Sequence, residues 1–596
     1  MVHSVLKSEG VEGFLHICTV IMMQRFTAFL VLLVTTAALK SQTKQEDKGQ
    51  FSGNLLLNYQ KYIRDDRIGA NTRVYLENTA SVDAWLFMQY RRNGYNFTMR
   101  FDAFNNSPLL DPQSAYTDHG IGFWQASKQL KDLNITVGSF YDQFGSGVLF
   151  RAYEQRQLGL DYSIQGIRLI YDINDDWRLK AFSGNQKGNQ NSGTRFSYTP
   201  QVISGINLEG RVNIGENAKF GGLNLGASAL NRNIDRATMQ ELVSIVQSYE
   251  EKDWFFPKYN VYGFNGYFNY DIGNFSIGGE ANYKTPEAIL DFNNKLILKD
   301  GKVFYGTVGW GKRFKFGKRK LPNGRTVPNR VSLGLNLQLR HVDHFPLRTS
   351  PREGLLNGLI SYLPSLTKQN SYRLMARYNA PAQDLGENGI QGELTCKINR
   401  GTRILANASY VQSLASNGMF DSSSMSMKPI QLFREYNVQL IQNIGKDKLK
   451  LGLQSIFYNQ ARYEQEPEYE DVYTITPFAE WLHKIGKDKS LRIEAQYLNT
   501  DRDQGSFANI LVEYYFNKEW SMSIGDMVNV QPHRYDRMII EDAVLHYPMF
   551  FFSYNHNNSF YTLSYLKQQE GVNCSGGICR VEPAFSGIRF TVSSNF

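Results

Sequence analysis

One short segment of the sequence concentrates residues that could act chemically. Within eleven residues it holds two cations, two anions and a tyrosine, namely Arg151, Tyr153, Glu154, Arg156 and Asp161. Gly145 and Gly147 precede the set. Such a set can line a charged constriction that ions or solutes pass. The same residues can instead form salt bridges with one another and only pack against the inside of a protein wall. Both interpretations stay open.

Patterns for catalysis or metal binding are weak elsewhere. His533, Asp536, Asp542 and His546 share one segment and could form a hydrolytic set on a loop. The nine histidines show no ligand spacing, and we find no nucleophile elbow, metalloprotease helix or phosphate-binding loop. The four cysteines contain no Cys-x-x-Cys pair. We therefore expect no enzymatic activity, no metal site and no cofactor.

A close pair of cysteines, Cys574 and Cys579, is separated by four residues that include two glycines. Glycine tolerates the positive φ of a tight turn. The flanking segments 559–568 and 585–595 have strand-like patterns, and they would hold the two arms antiparallel and close. We predict a disulfide across this turn, with free thiols or a soft-metal site as the alternatives. Cys396 is expected to be a lone thiol.

Apolar and polar residues alternate with a period of two from about residue 51 to the end of the chain. In 95–103 one face is apolar and consists of Tyr95, Phe97, Met99, Phe101 and Ala103. The other face is polar and consists of Asn96, Thr98, Arg100 and Asp102. Segments 449–457, 491–497 and 508–516 repeat the pattern. Successive residues of a strand point to opposite faces, so each segment has one apolar and one polar side. The length of the segments and the aromatic residues near their ends are typical of strands that cross a bilayer.

The connections between these segments are alternately short and long. The short ones are rich in Asn, Asp, Gly or Lys and fall at 92–94, 174–176, 272–274, 400–402, 446–448, 487–489, 517–519 and 556–558. Such sequences suit tight hairpins. Longer loops are predicted at 285–302, 413–432 and 531–546. This alternation predicts a closed antiparallel barrel with its short turns and both chain ends on one side.

The strand count is estimated from twelve hairpins, one of which we assign to 354–380. An opening strand at 51–60 and a closing strand at 585–595 bring the best count to about 26, within a range of about 22–26. An even number is expected because both ends lie on one side.

Segment 237–250 repeats apolar residues at helical spacing. It predicts a short amphipathic helix, either on the rim of the barrel or in its lumen.

The N-terminal region has the features of an export signal. Residues 1–42 combine a short charged start with an apolar stretch too short to span a bilayer, as a signal peptide does. We interpret residues 1–21 as surplus sequence upstream of a start near Met22. Residues 43–50 would form a short linker, and 51–596 a single barrel domain. Export places the chain in a compartment where disulfides persist.

The composition agrees with an all-β membrane protein. Aromatic residues make up 13% of the chain, and the mean hydropathy is −0.40. No run of 18 apolar residues follows the N-terminus, which argues against transmembrane helices. The net charge is +9, and we interpret the basic residues as scattered along strands and turns. We expect no nucleic-acid binding.

The closing strand carries the most specific pattern. The chain ends on Phe596, which shares a face with Phe590, and both are predicted to form an assembly signal. This strand must pair with the first one, because an open sheet edge in lipid leaves backbone groups unpaired. Together with 144–161 and the Cys-x4-Cys segment 571–580, the closing strand resembles a Bacteroidota outer-membrane barrel family known only as a domain of unknown function. The resemblance spans about 51–596 and implies a fold and a location, without an activity.

Two functions are consistent with these patterns. The first is a porin-like channel or transporter in the outer membrane for an unknown solute, since a barrel of this size must enclose water, loops or a plug. The second is a structural or scaffold subunit of an outer-membrane secretion or surface assembly. The expected partners are outer-membrane lipid, the barrel-assembly machinery during insertion and other outer-membrane proteins.

Overall fold

The structure, a computed structural model, describes the chain from residue 49 onward with ten short gaps. The described residues are 49–109, 115–188, 195–215, 220–291, 294–320, 326–354, 357–414, 429–466, 468–532, 544–575 and 578–596. The predicted signal peptide and most of the predicted linker lie outside these residues. The first strand begins at Gln50, one residue before the predicted start of the barrel.

The described chain forms one closed antiparallel barrel of 24 strands. The strands are β1 Gln50–Tyr62, β2 Ala80–Arg92, β3 Tyr95–Ser107, β4 Tyr116–Leu130, β5 Leu133–Phe140, β6 Ile164–Asp172, β7 Trp177–Lys187, β8 Tyr198–Asn213, β9 Gly222–Asn233, β10 Asn260–Ile272, β11 Phe275–Leu290, β12 Leu296–Lys320, β13 Thr326–Asp343, β14 Gly386–Lys397, β15 Thr402–Ser413, β16 Gln431–Ile444, β17 Asp447–Tyr458, β18 Val472–Lys484, β19 Ser490–Leu498, β20 Gly505–Tyr515, β21 Trp520–Pro532, β22 Leu545–His556, β23 Ser559–Gln568 and β24 Phe585–Asn595. Strand β1 pairs with both β2 and β24, which closes the sheet.

The barrel class is confirmed, and the count of 24 lies within the predicted range. The best count of 26 included one hairpin too many, because 354–380 forms no barrel strand. Proline explains this difference, since it has no N–H to donate to a sheet. Four prolines, Pro346, Pro351, Pro364 and Pro381, interrupt the connection between β13 and β14. The predicted loop 285–302 is also too long, since β11 runs to Leu290 and β12 begins at Leu296.

The short turns lie at one end of the barrel, which we call the short-turn end. All eight predicted tight turns fall there, and both ends of the described chain lie beside them. Gln50 pairs with Arg91, next to the turn at 93–94. The backbone of Phe596 exchanges hydrogen bonds of 2.7 and 3.0 Å with Gly53 of β1. The opposite end carries the longer connections, and we call it the long-loop end.

The strands place apolar side chains on the outside of the barrel and polar side chains on the inside, which is the reverse of the arrangement in a soluble protein. On β3, the apolar side chain of Phe97 points outward and is 48% exposed, whereas Arg100 points inward and is fully buried. Ile510 and Asn509 of β20 repeat this contrast. Among the described residues, none of the helices is long and apolar enough to cross a lipid bilayer.

Within the described ranges, three short α-helices lie in the connections of the long-loop end: α1 Arg73–Glu77, α2 Arg236–Gln247 and α3 Gln460–Tyr463. Helix α2 is the one predicted at 237–250. The Asp235 carboxylate caps it by accepting hydrogen bonds from the backbone N–H groups of Ala237 and Thr238. Its apolar face packs against Ala288 and Leu296, so the helix lies on the rim of the barrel.

Candidate functional site

Two connections fold from the long-loop end into the lumen. The first lumen segment, 141–163, joins β5 to β6, and the second lumen segment, 344–385, joins β13 to β14. Both contain buried apolar residues that pack against one another and against the inner wall. The lumen of this barrel is therefore occupied by its own chain, and its walls and these two segments form the candidate functional site.

An aromatic turn places the first lumen segment against the wall. Gly145 and Gly147 have φ values of +54° and +95°, which suit glycine and reverse the chain sharply. The turn buries Phe144 and Phe150, and the ring of Phe150 stacks on that of Phe182 from β7 with 4.4 Å between centroids. Burial of aromatic rings supplies the main apolar contact of this segment.

A buried ion network then fixes the rest of the first lumen segment. The guanidinium of Arg100 from β3 donates to Asp102 at 2.6 Å, to Asp161 at 2.7 Å and to Glu154. The ammonium of Lys187 from β7 donates to Asp161 at 2.9 Å. Arg100 thus joins two carboxylates of the lumen segment to one of the wall. Charges withdrawn from water need such partners, because an unpaired buried charge is strongly destabilising.

The protonation state of Asp161 follows from its neighbours. Burial alone would raise the pKa of this carboxyl, but the positive charges of Lys187 and Arg100 outweigh burial and hold the pKa well below its usual value. The Tyr141 hydroxyl also donates to the carboxylate at 3.0 Å. Asp161 is therefore an ionised acceptor that holds cations of the wall.

The predicted charge cluster divides into two groups. Glu154 and Asp161 belong to the Arg100 network, and Arg156 joins it by donating to Glu154 at 3.0 Å. Arg151 and Tyr153 lie apart from it. The Arg151 guanidinium is 4.7 Å from the ring centroid of Tyr153 and 4.2 Å from that of Tyr362 in the second lumen segment. A charged constriction at these residues stays a prediction.

The two lumen segments are joined directly. The backbone N–H of Arg151 donates to the carbonyl of Ile360 at 2.9 Å, and that of Tyr362 donates to Gly147 at 3.2 Å. With the cation–π contact between Arg151 and Tyr362, these bonds connect the first segment to the second.

Cations of the wall hold the first half of the second lumen segment through its carbonyl groups. Lys284 of β11 donates to the carbonyl of Pro346 at 2.9 Å, and Arg232 of β9 donates to that of Thr349 at 3.3 Å. Arg340 of β13 donates to the carbonyl of Pro364. These three cations also form ion pairs with wall glutamates, Glu287 and Glu387.

Polar groups of β16, β18 and β19 hold the second half through its N–H and hydroxyl groups. The backbone N–H of Lys368 donates to Glu435 of β16 at 3.0 Å. The N–H of Leu374 donates to Gln496 of β19 at 2.8 Å, and the Tyr372 hydroxyl donates to Glu480 of β18 at 3.1 Å. The second lumen segment thus has separate anchors along its length, on strands from β9 to β19.

A further anchor lies near the long-loop end. Arg377 donates to Asp503 at 3.0 Å, and the Tyr378 hydroxyl donates to the same carboxylate at 2.7 Å. Gln460 of α3 donates to Asp503 at 3.3 Å and to Glu464 at 3.0 Å. Burial raises the pKa of Glu464 from 4.5 to about 7. Glu464 therefore titrates near neutral pH beside the anchor.

Toward the short-turn end the inner wall carries partly exposed charges. Lys180 of β7 lies 3.2 Å from Glu209 of β8. Arg492 of β19 donates to Glu513 of β20 at 2.9 Å. Part of the inner surface therefore remains polar and open to water below the lumen segments.

Sequence analysis missed the wall residues that complete this site. Alternation places Arg100 and Asp102 on the polar face of β3, but the partners of Arg100 in the lumen segment, Glu154 and Asp161, lie more than fifty residues along the chain. Lys187 was not singled out, because one lysine at the end of a strand is an ordinary feature. The signal available was an arginine and an aspartate on the polar face in the middle of a strand, where an isolated charge needs a partner.

The two predicted assembly residues, Phe590 and Phe596, lie outside the lumen. Phe590 points outward from β24, and the ring of Phe596 lies 6.2 Å from that of Phe51. Cys574 and Cys579 are opposite one another in the backbone register of a short antiparallel pair, Gly571–Ser575 with Ile578–Glu582. Their side chains and residues 533–543 lie outside the described part of the structure. The disulfide and the assembly signal stay predictions.

Similar solved structures are large barrels. The siderophore receptor PirA from Pseudomonas aeruginosa aligns over 93% of this chain and 82% of its own, with 8% identity and a TM-score of 0.41. The P pilus usher PapC translocation pore aligns over 92% and 99%, with 9% identity and a TM-score of 0.38. OccAB3 from Acinetobacter baumannii aligns over 92% and 99%, with 10% identity and a TM-score of 0.33.

Comparison at the level of sequence gives the family. No curated protein sequence matches the chain. One family sequence model matches residues 22–596, which include every strand and both lumen segments. The chain therefore belongs to the family of unknown function DUF6029.

Proposed function

We propose that this protein spans the outer membrane as a channel or transporter whose lumen is restricted by the two lumen segments. The observation that carries the proposal is the inward-folded pair of connections, which is held by polar and charged side chains of the inner wall. A polar lumen crossed by ionic anchors suits the passage of a hydrated solute past a constriction.

The outward face supports the membrane location. Exposed aromatic and aliphatic side chains occur on strands all around the barrel, as on β3 and β20. A soluble protein rarely exposes apolar patches of more than a few hundred Å². A bilayer takes up such a surface, and a closed barrel leaves no unpaired sheet edge in lipid.

The size of the barrel supports the channel. Eight strands are enough to enclose a packed core, whereas barrels of 16 or more leave a lumen wide enough for water. This barrel has 24 strands, and its own chain fills part of the lumen. The two segments would thus set the width of the passage.

Conductance across planar bilayers tests this function. We expect small, reproducible channels from the wild type and much larger ones after replacement of 346–384 by a short Gly-Ser linker. A matched control removes 236–253, which contains the rim helix α2, and should leave the conductance near the wild-type value. Absence of channels from both the wild type and the linker variant, each folded and inserted, would contradict the proposal.

A scaffold role is the second candidate. It is favoured by one observation: the hairpin of β12 and β13 extends beyond its neighbours at the short-turn end. A protruding hairpin is a surface on which another protein could assemble.

A further inference from the structure

The β12–β13 hairpin leaves the barrel at the short-turn end. On one side, β11 begins at Phe275, opposite Trp310. On the other side, β14 ends at Lys397, opposite Ser332. Among the described residues, 312–320 of β12 therefore pair only with β13, and 326–331 of β13 pair only with β12. We call these two strand ends the basic ribbon, and each carries one outer edge with backbone groups unpaired by any strand.

The ribbon is the most basic part of the chain. From residue 301 to 342 the sequence has ten Lys and Arg residues and no Asp or Glu. The basic side chains of the ribbon that the structure describes are all exposed, and they belong to Lys312, Arg313, Lys315, Lys318 and Arg330. Within the described ranges, no carboxylate forms an ion pair with any of them. The interpretation of the basic residues as scattered is wrong for this hairpin.

The two faces of the ribbon differ. Arg313, Lys315 and Arg330 continue the inward face of their strands, and Lys315 lies directly opposite Arg330. On the outward face, the ammonium of Lys312 lies 5.5 Å from the ring centroid of Phe314. Phe316 is 75% exposed. Three like charges on one face repel each other. An anionic partner on this face would offset this electrostatic repulsion, which is present in the free protein.

These features restrict the partner. A second copy of the same ribbon would bring like charges together, which is how edge lysines prevent strands from pairing with themselves. A bilayer is a flat surface on the outward side of the barrel wall. It could contact Lys312 and Phe314, but it would not reach the inward face that carries Arg313, Lys315 and Arg330.

We propose that the basic ribbon is a docking surface for an acidic, extended polypeptide segment on the short-turn side of the membrane. The segment adds as a strand to an open edge, where backbone hydrogen bonds provide affinity. Its carboxylates meet the inward cations, and its apolar residues cover Phe314 and Phe316. The inference goes beyond the proposed channel function, because it concerns a protein partner and holds whether or not solutes pass.

Binding of a synthetic peptide tests the docking surface. The full chain is placed in nanodiscs of phosphatidylcholine, and the probe is a fluorescein-labelled ten-residue peptide of alternating Glu and Val. Fluorescence anisotropy should show saturable binding that weakens with added salt. The triple variant Arg313→Gln, Lys315→Gln and Arg330→Gln should weaken binding by about tenfold or more. A matched variant, Lys446→Gln, Lys487→Gln and Lys489→Gln, removes three exposed cations from other short turns and should change the affinity by less than about twofold.

Two further probes separate the alternatives. A peptide with N-methyl groups on its Val residues keeps the charges but loses backbone donors, and it should bind about tenfold more weakly. Equal binding of the methylated peptide would overturn the addition of a strand. Equal losses in the two triple variants would overturn the ribbon as the site. Binding of short-chain phosphatidylglycerol through the same three cations, without binding of the peptide, would overturn the proposal in favour of a lipid headgroup site.

Discussion

The first and second lumen segments both lie inside the barrel, but they are held there in different ways. The ionic anchoring of the first segment is concentrated in one compact network, in which Arg100 contacts Asp102, Glu154 and Asp161. The second is attached at separated points along the wall, from Lys284 on β11 to Gln496 on β19. Concentrated anchoring makes the first segment sensitive to one substitution, whereas distributed anchoring makes the second tolerant of the loss of any one contact.

The largest effect is expected from Arg100→Met. The substitution leaves three carboxylates without their shared cation in a buried site, and breaking such a network costs about 3–5 kcal/mol. The first lumen segment should leave its place, so that trypsin cuts after Arg151 or Arg156 in the folded barrel. Mass spectrometry of the digest locates the cuts. Arg178→Met, which removes an exposed partner of Asp172, is the control and should leave the segment protected.

A smaller effect is expected from Asp503→Asn. The variant weakens the bonds from Arg377 and Tyr378, and we expect a loss of about 1–2 kcal/mol in local stability. The other anchors should keep the second lumen segment in place. Trypsin cleavage after Arg377 should rise slightly in the digest. Complete cleavage there, under conditions that spare the wild type, would show that the anchors are not independent.

Sequence patterns predicted the barrel well because the alternation within each strand is enough to assign its apolar face and its polar face. The alternation in β3 and β20 needs no knowledge of the neighbouring strands, and the eight tight turns follow from local residue preferences. The inward path of 344–385 does not follow in this way. Its apolar residues Ile360, Tyr362 and Leu366 fall on one face at a period of two, as in a strand. Only their contacts inside the barrel reveal that they belong to a lumen segment.

The candidate site was predictable only in part for the same reason. The cluster at 151–161 was visible because its charges are close in sequence. The role of Arg100 depends on a contact with Asp161, and nothing local to β3 specifies that contact. The basic ribbon was overlooked because each cation by itself is ordinary for a turn, whereas the absence of acids over 301–342 is the informative feature.

A pH effect is expected at the anchor of the second lumen segment. Burial raises the pKa of Glu464 from 4.5 to about 7, so the folded chain keeps a proton that the unfolded chain has released between these values. Stability contributed by this group therefore falls as the pH rises from about 4.5 to about 7. Glu464→Gln should stabilise the protein at pH 8 by about 1 kcal/mol, since partial exposure reduces the effect, and hardly at all at pH 4. Thermal melting of the wild type and the variant at the two pH values measures this difference in stability. Equal changes in melting temperature at both pH values would contradict the raised pKa of Glu464.

The smallest effect on the barrel is expected from Cys574→Ser with Cys579→Ser. A disulfide across so small a ring adds about 1.5–2.5 kcal/mol at most, and it acts on the turn and not on the barrel sheet. Barrel melting should stay unchanged, while protease cleavage between residues 571 and 582 should increase. Mass spectrometry of the non-reduced wild type should show one peptide with both cysteines, lighter by two hydrogens. Quantitative alkylation without a reductant would rule out the bond.

Single-channel conductance of Arg100→Met and Asp503→Asn, measured in the same planar bilayer as the wild type, tests the central claim most directly. If the first lumen segment depends on one ion network and the second on many anchors, Arg100→Met should raise the conductance several-fold, while Asp503→Asn stays within the scatter of the wild type. Equal conductance of all three proteins, or an increase confined to Asp503→Asn, would contradict this account of how the lumen is restricted.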